Sequence, residues 1–155
     1  MSQPSSAPAG KPTGDAVQAV QDALAAEHAA VWTYGLVSAF VRQGDQTAEG
    51  ANAHRARRDA TERLLRDAST EPVPPAAAYL PPAPVTDSGS AIAALVAVEL
   101  DGCVAWRGVL ERTEDADLRR SALDALTAGA VRVTRWRKTG GLSPVSLAMP
   151  GTAVG

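Results

Sequence analysis

The chain has 155 residues, a formal net charge of −2 and one cysteine, Cys103. That length fits one domain with a real core; the near balance of charge implies no nucleic-acid or acidic-membrane partner, and a lone cysteine excludes an internal disulfide and fits a reducing cytoplasm. The chain is alanine-rich with 4% aromatic residues, and its Gly and Pro lie mainly outside the apolar-periodic runs, a pattern that favours helices over sheets.

Residues 1–14 are rich in Ser, Pro, Ala and Gly and lack the apolar centre of a signal peptide. They are expected to form a disordered lead-in, and no apolar run in the chain is expected to be long enough to cross a bilayer. A first helix is expected from Asp15 to about Arg42. Asp15 and Gln18 have the spacing of a capping box. Val17, Val20, Leu24, Glu27, Val31, Tyr34, Ser38 and Val41 recur at steps of three and four, so they share one stripe. Glu27 sits mid-stripe. Burying an unpaired charge costs roughly several kcal/mol, so Glu27 needs a partner, a proton or a metal. Gln43, Gly44 and Asp45 form a short stop that turns the next helix antiparallel.

The second helix is expected from about Thr47 to Ser69, with the poorer stripe Ala51, His54, Arg58, Thr61, Leu65 and Ala68. Residues 70–87 hold six prolines and are expected to be a packed, non-helical crossover. A polyproline-like run rises about 3.1 Å per residue and would reach roughly 50 Å, enough to travel the length of a helix of about 35 Å. The third helix is expected from Asp87 or Ser88 to about Arg112, with the stripe Ile92, Leu95, Glu99, Gly102, Trp106 and Val109. Again one carboxylate sits mid-stripe. The fourth starts near Glu114 to Asp117 and ends before Gly140, with the stripe Ala122, Leu126, Gly129, Val133 and Trp136. Residues 140–155 form a tail that is free or docked through Leu142, Val145 and Leu147. The expected architecture is all-α: an antiparallel four-helix bundle over residues 15–139.

Two helical hairpins joined by a long connection, with one core Glu on the first helix of each, resemble the ferritin-like superfamily. Four local patterns resemble, more narrowly, an uncharacterised actinobacterial family of ferritin-like proteins. They are Glu27-His28-Ala29-Ala30 with Tyr34-Gly35, His54-Arg55-Ala56-Arg57-Arg58-Asp59, Pro84-Val85-Thr86-Asp87, and Ala130 through Arg137. The resemblance implies the fold and no particular activity. It matches Glu27 and Glu99 to the single carboxylates of helices one and three of a dimetal centre. The remaining ligands depart from the pattern. The chain has no Glu-x-x-His, Ala51 stands ahead of His54, and the fourth helix offers Leu126, Gly129 and Arg132 at the relevant depth. A dimetal centre takes about six such ligands, so the standard site is incomplete.

Counting from Gly44 as the apex of the first hairpin puts Thr61 opposite Glu27, with Arg58 and Glu62 within a turn, and His54 level with Tyr34, roughly 10 Å from Glu27. In the second hairpin Glu99 mirrors Gly129, with Arg132 one turn on. Arg58 is therefore expected to pair with Glu27, and Arg132 with Glu99, in place of metals. The leading reading is a non-catalytic binding or structural module, a homodimer without a cofactor, in which Trp32 marks a dimer face. One alternative is a metal-binding oxidoreductase or storage protein, with Glu27, Asp59 or Glu62, and Glu99 holding Fe or Mn and His54 or His28 supplying nitrogen. Another is a small-ligand binder anchored by Glu27, His54 and Glu99 in the core. Otherwise His28 is expected at the boundary or surface, His54 at the core edge bonded to Tyr34 or a neighbouring carboxylate, and Cys103 as core filler. The arginines of the second helix interleave with acids, which favours a solvated face over a nucleic-acid surface.

Overall fold

A computed structural model describes residues 12–152. The expected lead-in therefore lies outside the described residues except for 12–14. Four helices carry the fold: α1 (Asp15–Val37), α2 (Gly44–Asp67), α3 (Ser88–Arg112) and α4 (Ala116–Thr139), with no strand among the described residues. The all-α four-helix bundle expected from the periodicity is the observed fold.

α1 packs on α2 and α3, and α3 packs on α4. Contacts fix the directions. Tyr34 and Glu27 of α1 reach Glu99 and Trp106 of α3, so these helices are antiparallel. α1 and α2 form one antiparallel hairpin, α3 and α4 the other. Along the chain the helices run up, down, down and up. Residues 68–87 join α2 to α3 without helix or strand and lie against α1. The Gln21 side chain donates to the Glu71 carbonyl at 2.8 Å and accepts from the Val73 N–H at 2.8 Å. Further along, His28 Nε2 meets the Val73 carbonyl at 3.0 Å, and Trp32 packs on Tyr79 with ring centroids 5.9 Å apart. His28, expected at the boundary, is buried beneath this connection.

Several boundaries differ from expectation, each for a local reason. α1 ends at Val37, five residues before Arg42, where the Phe40 N–H turns back to the Val37 carbonyl. Gly14 with φ 55° occupies the N-cap of α1, and Asp15 makes no capping bond. Gln18 reaches forward to Asp22 instead. α3 begins as expected: Asp87 accepts from the Ser90 N–H and closes a capping box with Ser90. α3 also corrects the membrane expectation. At 25 residues and a mean hydropathy of 1.5 it is long and apolar enough to span a bilayer, but here it is the inner helix between α1 and α4.

The core divides in two. One apolar cluster gathers Tyr34, Val37, Leu95, Val133 and Trp136; the other gathers Val20, Leu24, Leu65, Trp106, Val109 and Leu118. Leu147 of the tail packs on the first, whereas Leu142 and Val145 are exposed. Between the clusters lie buried charges.

Close approach at this level depends on Gly50 of α2. A β-carbon there would fall on the ring and hydroxyl of Tyr34. Gly102 of α3 has nothing within 4 Å of such a β-carbon. Opposite outcomes are expected in urea melts. Gly50→Ala lowers stability by about 1–3 kcal/mol through overpacking, whereas Gly102→Ala raises it by up to about 1 kcal/mol through helix propensity.

Candidate functional site: a buried carboxylate–imidazolium layer

Glu27 is 2% exposed, His54 3% and Glu99 1%. They come from three different helices and meet at the waist of the bundle. His54 stands between the two acids. Its Nδ1 lies 2.6 Å from Glu27 Oε2 and its Nε2 lies 3.0 Å from Glu99 Oε1. Both neighbours are acceptors, so both ring nitrogens donate and the ring is an imidazolium.

The remaining bonds extend this pair of contacts across all four helices. Arg132 Nε of α4 donates to Glu99 Oε1 at 2.7 Å. The Tyr34 hydroxyl donates to the same oxygen at 2.6 Å and accepts from Trp136 Nε1 at 3.0 Å. Trp106 Nε1 donates to Glu27 Oε1 at 2.7 Å. The aromatic bodies belong to the flanking apolar clusters, while their N–H and O–H groups turn into the polar layer. Among the described residues no buried side-chain nitrogen or oxygen lacks a hydrogen-bond partner.

Electrostatics follows this geometry. Burial alone would discharge His54, but its hydrogen bonds and proximity to Glu27 and Glu99 outweigh burial and raise its pKa to about 9. Burial likewise works against the Glu99 carboxylate, yet His54 and Arg132 hold it below the usual carboxylate range. Tyr34 is pushed far up by burial and by the Glu99 charge, so it remains a neutral donor. Burial and the Glu99 charge also push the Cys103 thiol up, to about 11, which makes it a weak nucleophile near neutrality.

The sequence expectations divide at this layer. Glu27, His54, Tyr34, Glu99 and Arg132 come together. Arg58 does not reach Glu27: it is half-exposed and bonds its neighbour Asp59 at 2.8 Å. The residue beside it, Arg57, lies 3.9 Å from Glu27. The cause is a misplaced apex. The first hairpin turns about the middle of the loop 38–43, not at Gly44, so Glu27 sits opposite His54 rather than Thr61. The expected gap of roughly 10 Å between Glu27 and His54 is absent for the same reason. Asp59 is exposed, and Glu62 faces Arg66 at 3.3 Å and His28 at 3.9 Å, outside the layer. Trp106 and Arg57 as partners of Glu27, and Trp136 as a donor to Tyr34, are contacts the sequence reading does not supply. For the tryptophans the signal was present: a buried indole N–H needs an acceptor, and Trp106 shares the stripe of Glu99.

As a metal centre the donor set fits poorly. A histidine ligates through a lone pair, and both nitrogens of His54 are used as donors. α4 contributes a guanidinium where a dimetal centre needs a carboxylate and an imidazole. No group of three or more His, Cys, Asp or Glu among the described residues has an arrangement able to hold a metal ion.

The pH dependence of stability has a definite sign. His54 binds its proton more tightly in the folded chain than in the unfolded one, whose ordinary value is 6.5. Its contribution is complete below about pH 6.5 and is lost as pH rises through about 9, amounting to roughly 3 kcal/mol. Glu99 has the opposite sign: its contribution is present above the ordinary carboxylate value and is lost as pH falls through its depressed one. Urea midpoints are therefore expected to decline from about pH 6.5 to 9. ¹⁵N spectra of the His54 ring are expected to show both nitrogens protonated until that upper limit.

Comparison with known proteins agrees with this architecture. Residues 19–154 match the model of a domain of unknown function, DUF4439. The chain is also similar to the crystal structure of a conserved hypothetical protein, rv2844, from Mycobacterium tuberculosis. The two are 38% identical and superpose with a TM-score of 0.78, covering 83% of this chain and 99% of that one. No curated protein matches. The matched span contains the whole carboxylate–imidazolium layer and nearly all of the four helices, and the chain belongs to the DUF4439 family.

Proposed function

We propose that this protein is a non-catalytic bundle of the ferritin-like type, serving as a binding or structural module, in which an imidazolium replaces the metal pair of a dimetal-carboxylate centre. The observation that carries the reading is His54 joined through both nitrogens to Glu27 and Glu99 at 2.6 and 3.0 Å. The order of helix directions and the single inward Glu on each of α1 and α3 support the ferritin-like relationship.

Electrostatics favours the substitution. Two carboxylates in a dry layer require positive charge, and His54 with Arg132 supplies it through directed hydrogen bonds. For a divalent cation to enter, His54 must first give up a proton held to about pH 9 and break two charge-assisted bonds. Arg132 cannot deprotonate and would repel the incoming ion. The layer also lacks a free base or nucleophile: His54 is protonated, the Cys103 thiol is raised, and Tyr34 is a donor to Glu99.

Metal analysis of protein purified without chelator tests this reading against an Fe- or Mn-loaded oxidoreductase or storage protein. Less than about 0.1 equivalent of Fe, Mn or Zn is expected, with no saturable uptake of Fe(II) or Mn(II) at neutral pH. A stoichiometric metal that is lost in Glu27→Gln and Glu99→Gln would overturn the proposal.

A further inference from the structure

α1 packs closely with α2 and α3, and α3 with α4, while α2 and α4 face each other more loosely across the fourth side of the bundle. At one end α2 and α4 are bridged by Glu49 and Arg135 at 3.3 Å. Beyond that bridge they part, leaving a cleft of about 530 Å³. Ala53, Ala56 and Ala60 line it from α2, and Leu118, Ser121 and Asp124 from α4. Small residues on one wall make the room; Trp106 lies within the lining and marks the edge of the buried polar layer.

Arg57 lines this cleft and is half-buried. Its guanidinium carbon lies 5.9 Å from the centre of the Trp106 ring. The nearest carboxylate, Glu27, is 3.9 Å away, beyond hydrogen-bond distance, and its oxygens already accept from His54 and Trp106. Among the described residues the guanidinium finds no hydrogen-bond acceptor. A guanidinium carries five N–H donors in a planar fork. Here the fork is partly desolvated, lies over an indole and has only the 3.9 Å ion pair to Glu27, so its remaining N–H groups are free to bond a ligand.

The charges of the layer point the same way. Glu27 and Glu99 are opposed by His54, Arg132 and Arg57, so one positive charge is left over. The other acid that acts on Arg57 is Asp124 across the cleft, which is exposed and forms no ion pair with it.

We infer that the α2–α4 cleft is a binding site for a small organic carboxylate with an apolar, preferably aromatic, body. The carboxylate takes the Arg57 fork, and the body lies along Ala56, Ala60 and Leu64. Apolar walls around one cation select such a molecule over a bare inorganic anion. Asp124 sets the polarity of the site. It weakens anions at the rim and would strengthen a cationic ligand. The inference concerns a surface beside the carboxylate–imidazolium layer, so the metal analysis above and the binding experiment below succeed or fail separately.

Isothermal titration of the full chain with 2-naphthoate, with its uncharged match 2-naphthylmethanol, and with inorganic phosphate tests the site. A dissociation constant on the order of 100 µM is expected for 2-naphthoate, with the alcohol and phosphate at least about tenfold weaker. Arg57→Gln is expected to weaken 2-naphthoate about tenfold or more, Arg57→Lys less, and Asp124→Asn to tighten it about twofold to threefold. Chemical shifts of the Trp106 indole N–H locate the ligand. The inference is overturned if 2-naphthoate gives no saturable binding, if the alcohol binds equally well, or if Arg57→Gln has no effect. Weaker binding in Asp124→Asn, or sedimentation showing a second copy of the chain seated in the cleft, would also overturn it.

Discussion

The fold depends on one imidazolium shared between two carboxylates. Without His54, Glu27 and Glu99 would be two like charges in a dry layer, each carrying a desolvation cost of several kcal/mol, roughly. With it, each acid has a short charge-assisted bond, and three helices are tied at one height. The layer need not add net stability over a well-packed apolar one. What it adds is discrimination. Sliding any helix by one turn moves its group about 5.4 Å and strands a buried charge, so alternative registers cost far more than lost dispersion contacts would.

The apolar parts of the molecule are arranged around that requirement. Trp106, Tyr34 and Trp136 each bury a large ring in a flanking cluster and send one polar hydrogen into the layer. The acids are thereby buried without being left short of donors. Gly50 lets the Tyr34 ring approach α2, and a β-carbon at Gly129 would press on the Cys103 sulfur at 2.9 Å beside Glu99. Both glycines lower helix propensity and sit where the charges need close helices, so packing geometry outweighs local preference there. On the outside of α1, Gln21 and His28 bind the backbone of residues 71 and 73. That satisfies peptide groups in a segment with no helix or strand to satisfy them.

The legible part of this design was the contradiction between residue type and position. Glu27 and Glu99 stood out because a carboxylate mid-stripe cannot be buried alone. Arg132 follows because α4 begins at Ala116, inside the expected Glu114–Asp117 window, so the second hairpin is counted from the right point. The first hairpin is not. Ser38, Ala39 and Phe40 contain no residue that forbids a helix, and the end of α1 comes from the turn onto α2 rather than from a local signal. Moving the apex rotates the facing residue on α2. A count from Gly44 puts Arg58 near Glu27, where the structure places His54 with Arg57 nearby. A pattern at 100° per residue is unforgiving of such an error, whereas helix existence and type hardly depend on it.

The same arithmetic bears on why the layer carries one more cation than it has acids. A dimetal-carboxylate bundle balances its metal ions with carboxylates from all four helices. Here α2 supplies His54 and Arg57, and α4 supplies Arg132, so the outer helices bring cations to acids that only the inner helices provide. His54 and Arg132 are directed at carboxylate oxygens within 3.0 Å, and they suffice for two negative charges. Arg57 is surplus to that neutralisation. It sits where α2 and α4 face each other more loosely, over the ring of the tryptophan that borders the layer. A surplus charge of this kind is tolerable only next to a high-dielectric medium or a counter-ion. The cleft on that side of the bundle provides the first, and its shape is suited to admit the second.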